Sequence, residues 1–139
     1  MAGESKRSSS VYVDAKIKGM HDKTLPKKAY VGYFVEGLSL HDAKLVDADE
    51  TDDAEIQAIL FAIEKLGTEF NPLTVICDHQ SVVSEANRES VKKPGPWLRK
   101  LRKVLLENPG ITLRALQMNL AHKVVTDYVN GLNQNPEMH

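Results

Sequence analysis

Residues 73–77, Leu-Thr-Val-Ile-Cys, form a short apolar run that stops abruptly on Asp78-His79, where a helical pattern begins. A run this brief and this apolar suits a central parallel strand covered on both faces. Parallel neighbours need long crossovers, so helices should alternate with strands around it. Downstream, His79–Val91 reads as a helix, Lys92–Pro96 breaks it, 97–110 reads as another helix, 111–118 as a strand and 120–132 as a last helix. Upstream, Ile56, Ile59, Leu60, Ile63 and Leu66 recur at helical spacing, and Gly67 stops that helix. Before it, 11–19 and 29–37 read as strands, and 38–48 contains a third. Short connections make these three an antiparallel meander. The order β-β-β-α-β-α-α-β-α implies an α/β fold: a mixed five-stranded sheet flanked by helices. The domain is expected over 10–131, with a disordered polar tail over 1–9 and a second tail over 132–139.

At 139 residues the chain is one domain by length and can bury a real core. Its 42% apolar and 27% charged residues are those of an ordinary soluble domain. With a net charge of −1, any attraction to nucleic acid must come from a local patch. Cys77 is the one cysteine, so no disulfide forms within the chain and no zinc cluster can be built on thiolates. A cytoplasmic or other reducing compartment is expected. The opening MAGESKRSSS lacks the apolar stretch of a signal peptide. No run approaches the ~18 apolar residues of a membrane span, so no membrane partner is expected.

Three acids stand at telling places. Asp14 lies mid-strand, sharing a face with Tyr12 while Val11 and Val13 take the other. Glu55 lies in the first turn of the first helix, and Asp78 closes the apolar strand. Each has an ordinary reading. Asp52 and Glu55 have the spacing of a capping box. Asp78 can cap the following helix. Asp14 is merely solvated if its strand is an edge, but needs a partner or a metal if the strand is central. Read together, the three can converge at the carboxyl end of the central strands. Clustered carboxylates repel unless a cation sits among them, and hard oxygen donors suit Mg²⁺ or Mn²⁺. Such a site supports two-ion phosphoryl chemistry, with ions ~3.5–4 Å apart.

In order, VYVDAKIKG, DDAEIQAILFAIEKL, ICDHQSVV and ITLRALQMNLAHKVV resemble the type 1 ribonuclease H domain, over roughly residues 10–131. Ala54-Glu55-x-x-Ala58 resembles its A-E-x-x-A signature, Asp78–Val83 its D-S-x-x-V-V-like strand end, and Ala121-His122 the opening of its last helix. The resemblance implies a nuclease that hydrolyses the RNA strand of an RNA/DNA hybrid with two divalent ions, Mg²⁺ or Mn²⁺. Nothing in the sequence demands an oligomer interface, so a monomer is expected. The resemblance also implies that Asp14, Glu55 and Asp78 are the metal-binding catalytic carboxylates and that His122 takes a fourth position, usually Asp. Imidazole in that place favours Mn²⁺. Asp127 is too far along the helix to substitute. Gln80 matches a position that contacts the minor groove.

Departures from the pattern are Ala15 for glycine, Thr51-Asp52-Asp53 for T-N-N, and His79 for serine. Aspartates cannot donate to bases or sugars, so the loop bearing Asp52 should hold the hybrid differently. His79 is expected as a solvated helix-start residue. No other histidine precedes the last helix nearby, so turnover should be slow if His122 does not serve. Lys92, Lys93, Arg99, Lys100, Arg102 and Lys103 form a basic segment suited to duplex phosphates, or to a solvated helix face. Trp97 is expected in the core rather than stacked on a base. Two alternatives share the fold: a catalytically weak or inactive nucleic-acid-binding module, and a junction-resolving nuclease.

Overall fold

The structure is a computed structural model that describes residues 7–18, 28–35, 37, 40–48, 50–116 and 125. Its elements run β1 (Arg7–Lys18), β2 (Lys28–Val35), β3 (His41–Asp47), α1 (Thr51–Leu66), β4 (Phe70–Cys77), α2 (Gln80–Asn87), α3 (Pro96–Glu107) and β5 (Ile111–Ala115). The strands form one five-stranded sheet in the order β3-β2-β1-β4-β5. The first three strands are antiparallel neighbours, and β4 lies parallel to both β1 and β5. This is the mixed α/β architecture that the hydrophobic pattern implies.

Several boundaries differ from the sequence reading. β1 begins at Arg7, inside the stretch expected to be a disordered tail, because Arg7 and Ser9 pair with Phe70 and Leu73 of β4. Backbone pairing with β4 is what places these polar residues in the strand. The helix expected over 79–91 ends at Asn87, α3 stops at Glu107, and β5 ends at Ala115. Pro96 starts α3 at a position where its missing N–H costs nothing. The helix expected over 120–132 lies outside the described residues except for Val125, which is helical and buried.

The alternation of β1 decides the layers. Val11 and Val13 are fully buried against α1 and α3, together with Val31, Leu73, Val75 and Leu113. Tyr12, Phe34 and Ile76 cluster on the opposite face. Val125 packs on that second face: a Cβ added to Gly32 would lie 2.9 Å from its Cγ2. α1 is buried on most of its circumference, and Ala15, Ala29, Ala48 and Ala54 meet where its first turns cross the sheet. Four small side chains let the helix axis come close to β1 and β2. That close approach brings the side chain of Glu55, one turn inside the helix, within reach of a strand's backbone.

Candidate metal centre

β1 is the middle strand of the sheet, so Asp14 is not an edge residue. Its side chain is buried, at 5% exposure. Within the parallel pair, Val13 stands opposite Cys77. Asp14 and Asp78 are the next residues on the two adjoining chains. Asp78 follows the last residue of β4 and is exposed, as the carboxyl end of a central strand should be.

Glu55 approaches from α1. The helix starts at Thr51 behind Glu50, and no side chain caps it, so the expected Asp52–Glu55 capping box is absent. Glu55 sits one turn inside the helix on its sheet-facing side and is 3% exposed. Its carboxylate accepts a hydrogen bond from the Cys77 thiol, Sγ to Oε1 3.4 Å, and one from the backbone N–H of Ala15. Asp78 does not cap α2 either, since the helix begins at Gln80 with His79 at the cap position.

Glu55, Cys77 and Asp78 therefore form a group whose ligand atoms all lie within 4.8 Å of one another. Burial is the main influence on Glu55, and the charge of Asp14 is the next. Together with a weaker push from Asp78 they raise its pKa from 4.5 to about 8, against the opposing hydrogen bonds from Cys77 and Ala15. Burial and the neighbouring Glu55 carboxylate likewise push the Cys77 thiol well up. A buried Glu55 whose charge is disfavoured by Asp14 and Asp78 could be relieved by a cation, and Glu55, Cys77 and Asp78 could hold one. The carboxylate oxygens fit a hard divalent ion such as Mg²⁺ or Mn²⁺. The sulfur of Cys77 is the exception in the donor set.

Cys77 does not stand out in the sequence, where it reads as one more apolar strand residue. The signal that could have found it is parity: Leu73, Val75 and Cys77 share a face, and that face receives α1. His122 lies outside the described residues, three positions before Val125.

The other expected contact residues are dispersed. Gln80 is exposed at the start of α2. His79 is not simply solvated: its Nε2 is 3.2 Å from Asp52 Oδ1 and its Nδ1 is 3.1 Å from Ser81 Oγ. Asp52 thus helps tie the start of α1 to the start of α2. Lys92, Lys93, Arg99 and Lys103 are exposed. Lys100 holds its Nζ 5.3 Å from the centre of the half-buried Trp97 ring, which packs against the core. Arg102 is engaged otherwise than expected. Its guanidinium donates to the carbonyls of Glu85, Arg88 and Glu89, closing the end of α2. Its flat fork of donors suits carbonyls left open at a helix end.

No family model matches the sequence, and no curated protein matches it. Solved structures do match the fold. RNase H1 of the halophilic archaeon Halobacterium salinarum is 19% identical, with a TM-score of 0.65 over 92% of this chain and 98% of that one. LC11-RNase H1, isolated from compost by a metagenomic approach and solved in complex with an RNA/DNA hybrid, is 18% identical, with a TM-score of 0.60 over 78% of this chain and 84% of that one. The prototype foamy virus protease–reverse transcriptase is 20% identical, with a TM-score of 0.63 over 78% of this chain and 17% of that one. Among the described residues, no helix is long and apolar enough to cross a membrane.

Proposed function

We propose that this chain, which has the ribonuclease H fold, is a divalent-metal-dependent endonuclease that hydrolyses the RNA strand of RNA/DNA hybrids. The observation that carries this reading is the convergence of Glu55 and Asp78 at the carboxyl end of β4, with buried Asp14 acting on Glu55 from the adjoining strand. A similar fold in the LC11 enzyme was solved with an RNA/DNA hybrid, which supports the substrate class.

Asp14, Glu55 and Asp78 would hold the ions, and His122 is the fourth ligand in this reading. Two ions of Mg²⁺ or Mn²⁺, when bound, supply stabilisation of charge on the attacking and leaving oxygens of the phosphodiester. The protein's own part is to hold that charge in place. Asp14 and Glu55 are buried, so their carboxylates are fixed by packing, while exposed Asp78 faces the incoming backbone. Val125, packed over Gly32, supports His122 as a participant, because Gly32 is the pairing partner of Asp14. In the basic segment, exposed Lys92, Lys93, Arg99, Lys100 and Lys103 would meet phosphates, and exposed Gln80 would meet the minor groove. Asp52 acts through His79 rather than by touching nucleic acid. In this reading the chain acts as a monomer, since nothing in the sequence demands an oligomer interface, and the functional domain extends to about residue 131, as the resemblance to the type 1 ribonuclease H domain implies.

Cleavage of a labelled RNA/DNA hybrid with Mg²⁺ and with Mn²⁺ tests this. Cleavage should occur, be faster with Mn²⁺, and fall by at least about a hundredfold in Asp14→Asn and Asp78→Asn, the order expected when a group stabilising the transition state is lost. A folded Asp78→Asn protein that still cleaves would remove the site. A second reading has a specific observation in its favour. The soft sulfur among the carboxylates departs from an all-oxygen centre, which favours a catalytically weak hybrid-binding module. A folded wild-type chain that binds hybrid but cleaves it with neither ion would select that module.

A further inference from the structure

The side chain that fits an all-oxygen centre least well is Cys77. It is fully buried on the α1 face of β4, the last of three residues, Leu73, Val75 and Cys77, that the pleat turns the same way. Its sulfur has two defined contacts. The thiol donates to Glu55 Oε1 at 3.4 Å, and the backbone N–H of His79 donates to the sulfur at 3.3 Å.

We propose that Cys77, Glu55 and Asp78 form a binding site for a single thiophilic divalent cation, Zn²⁺ or Cd²⁺, with the Cys77 sulfur as a direct ligand. Three observations carry this. The first is spacing. A tetrahedral zinc with Zn–S of about 2.3 Å and Zn–O of about 2.0 Å has a sulfur–oxygen edge of about 3.5 Å. The observed 3.4 Å therefore already matches that edge, and the ion takes the place of the proton shared by the two side chains. The second is the His79 N–H. A backbone donor on the sulfur supports the thiolate once it forms, which is the usual outer support of a ligating atom. The third is access. Cys77 and Glu55 are buried, but Asp78 is exposed and within 4.8 Å of both, so the ion enters from the Asp78 side and keeps a position open to water.

The proton balance is simple. The S–H bond of Cys77 breaks, its electron pair forms the sulfur–metal bond, and the proton leaves to the buffer, with a second from Glu55 when that group is protonated. No oxidant or reductant is involved. Two carboxylates and one thiolate then surround a doubly charged ion, relieving the repulsion that the acids otherwise impose on one another. Where the nuclease reading holds, such an ion occupies Glu55 and Asp78 and displaces Mg²⁺ or Mn²⁺. That consequence alone rests on the proposed activity, and the binding does not.

Cys77 is the one cysteine of the chain, so any cadmium–thiolate charge-transfer band in the ultraviolet reports this atom. Cd²⁺ titrated into the full chain should raise such a band, saturating at one ion per chain. The band should be absent in Cys77→Ser. Its midpoint should move to at least about tenfold higher Cd²⁺ in Glu55→Gln and in Asp78→Asn, as removal of one ligand implies. Circular dichroism verifies the fold of each variant, and the two carboxylate variants retain the thiol if Cys77→Ser does not fold. No band at saturating Cd²⁺ would overturn the proposal. So would a band with an unchanged midpoint in both carboxylate variants, because that is a lone thiol binding by itself. A cadmium band in a protein that cleaves no hybrid sinks the nuclease reading and leaves this site standing. Hybrid cleavage with Mg²⁺ and no cadmium band does the reverse.

Discussion

Val125 packs its Cγ2 directly over Gly32, the residue of β2 that stands opposite Asp14 in the antiparallel pair. A Cβ at Gly32 would fall 2.9 Å from that methyl and 3.1 Å from the Asp42 carbonyl oxygen on β3. The absent side chain is what allows Val125 to pack against the sheet at the residue paired with Asp14.

Gly32→Ala should therefore destabilise the protein by about 1–3 kcal/mol, the range for overpacking a tight site. Urea denaturation monitored by fluorescence of Trp97 measures it. Hybrid cleavage should fall as well, because Val125 is three residues from His122. A variant as stable as the parent would show that Val125 gives way at no cost.

Glu55 makes the metal-free protein pH-sensitive in a definite direction. Folded, the group keeps its proton to about pH 8, while its unperturbed value is 4.5. Between those values the folded chain binds more protons than the unfolded one, so stability falls as pH rises through the window. The fall should be on the order of a few kcal/mol. Urea midpoints in chelator at about pH 5 and about pH 8.5 should differ in that sense, and Glu55→Gln should remove most of the difference. An unchanged slope in Glu55→Gln would assign it to other groups.

Arg102 and its basic neighbours should separate by experiment. Arg102→Met removes the hydrogen bonds to three carbonyls around the end of α2 and should lower stability by about 1–3 kcal/mol. It should leave the salt dependence of hybrid binding nearly unchanged. Replacing Lys92 and Lys93 by Gln should do the opposite. The plot of log affinity against log salt should become shallower by up to about one for each phosphate that is no longer neutralised. Equal salt slopes in all three proteins would mean that none of these residues meets phosphate.

The Asp52–His79 pair joins the starts of two helices beside Asp78 of the candidate metal centre. Both side chains are partly exposed, so a double-mutant cycle through Asp52→Ala and His79→Ala should give a coupling of only about 0–1 kcal/mol. Cleavage should drop further than that coupling implies, because His79 follows Asp78 directly. If activity tracks stability alone, the pair has no positioning role.

Much of this molecule is legible along the chain because it follows from local periodicity. The alternation of Val11 and Val13 against Tyr12 and Asp14 marks β1 as a strand with two unlike faces, while its central place and the burial of Asp14 appear only in the structure. The apolar run through Cys77 identifies a central strand. The spacing of Ile56, Ile59 and Leu66 marks α1, and Gly67 ends it. The order of the strands across the sheet, β3-β2-β1-β4-β5, is read from the structure. The ends of elements are less legible, since Arg7 and Ser9 join β1 only because Phe70 and Leu73 offer them backbone partners.

What only the tertiary structure decided is which side chains meet. Asp52 and Glu55 have capping spacing, but a helix that starts at Thr51 turns Glu55 inward and leaves Asp52 to His79. Arg102 reads as one more basic residue until the end of α2 is laid across α3. Cys77 reads as core until α1 carries Glu55 over it. Each of these depends on the distance between elements far apart in sequence. That distance is set by packing, here by the small residues Ala15, Ala29, Ala48 and Ala54 that let α1 approach the sheet. Periodicity along one chain carries no record of it.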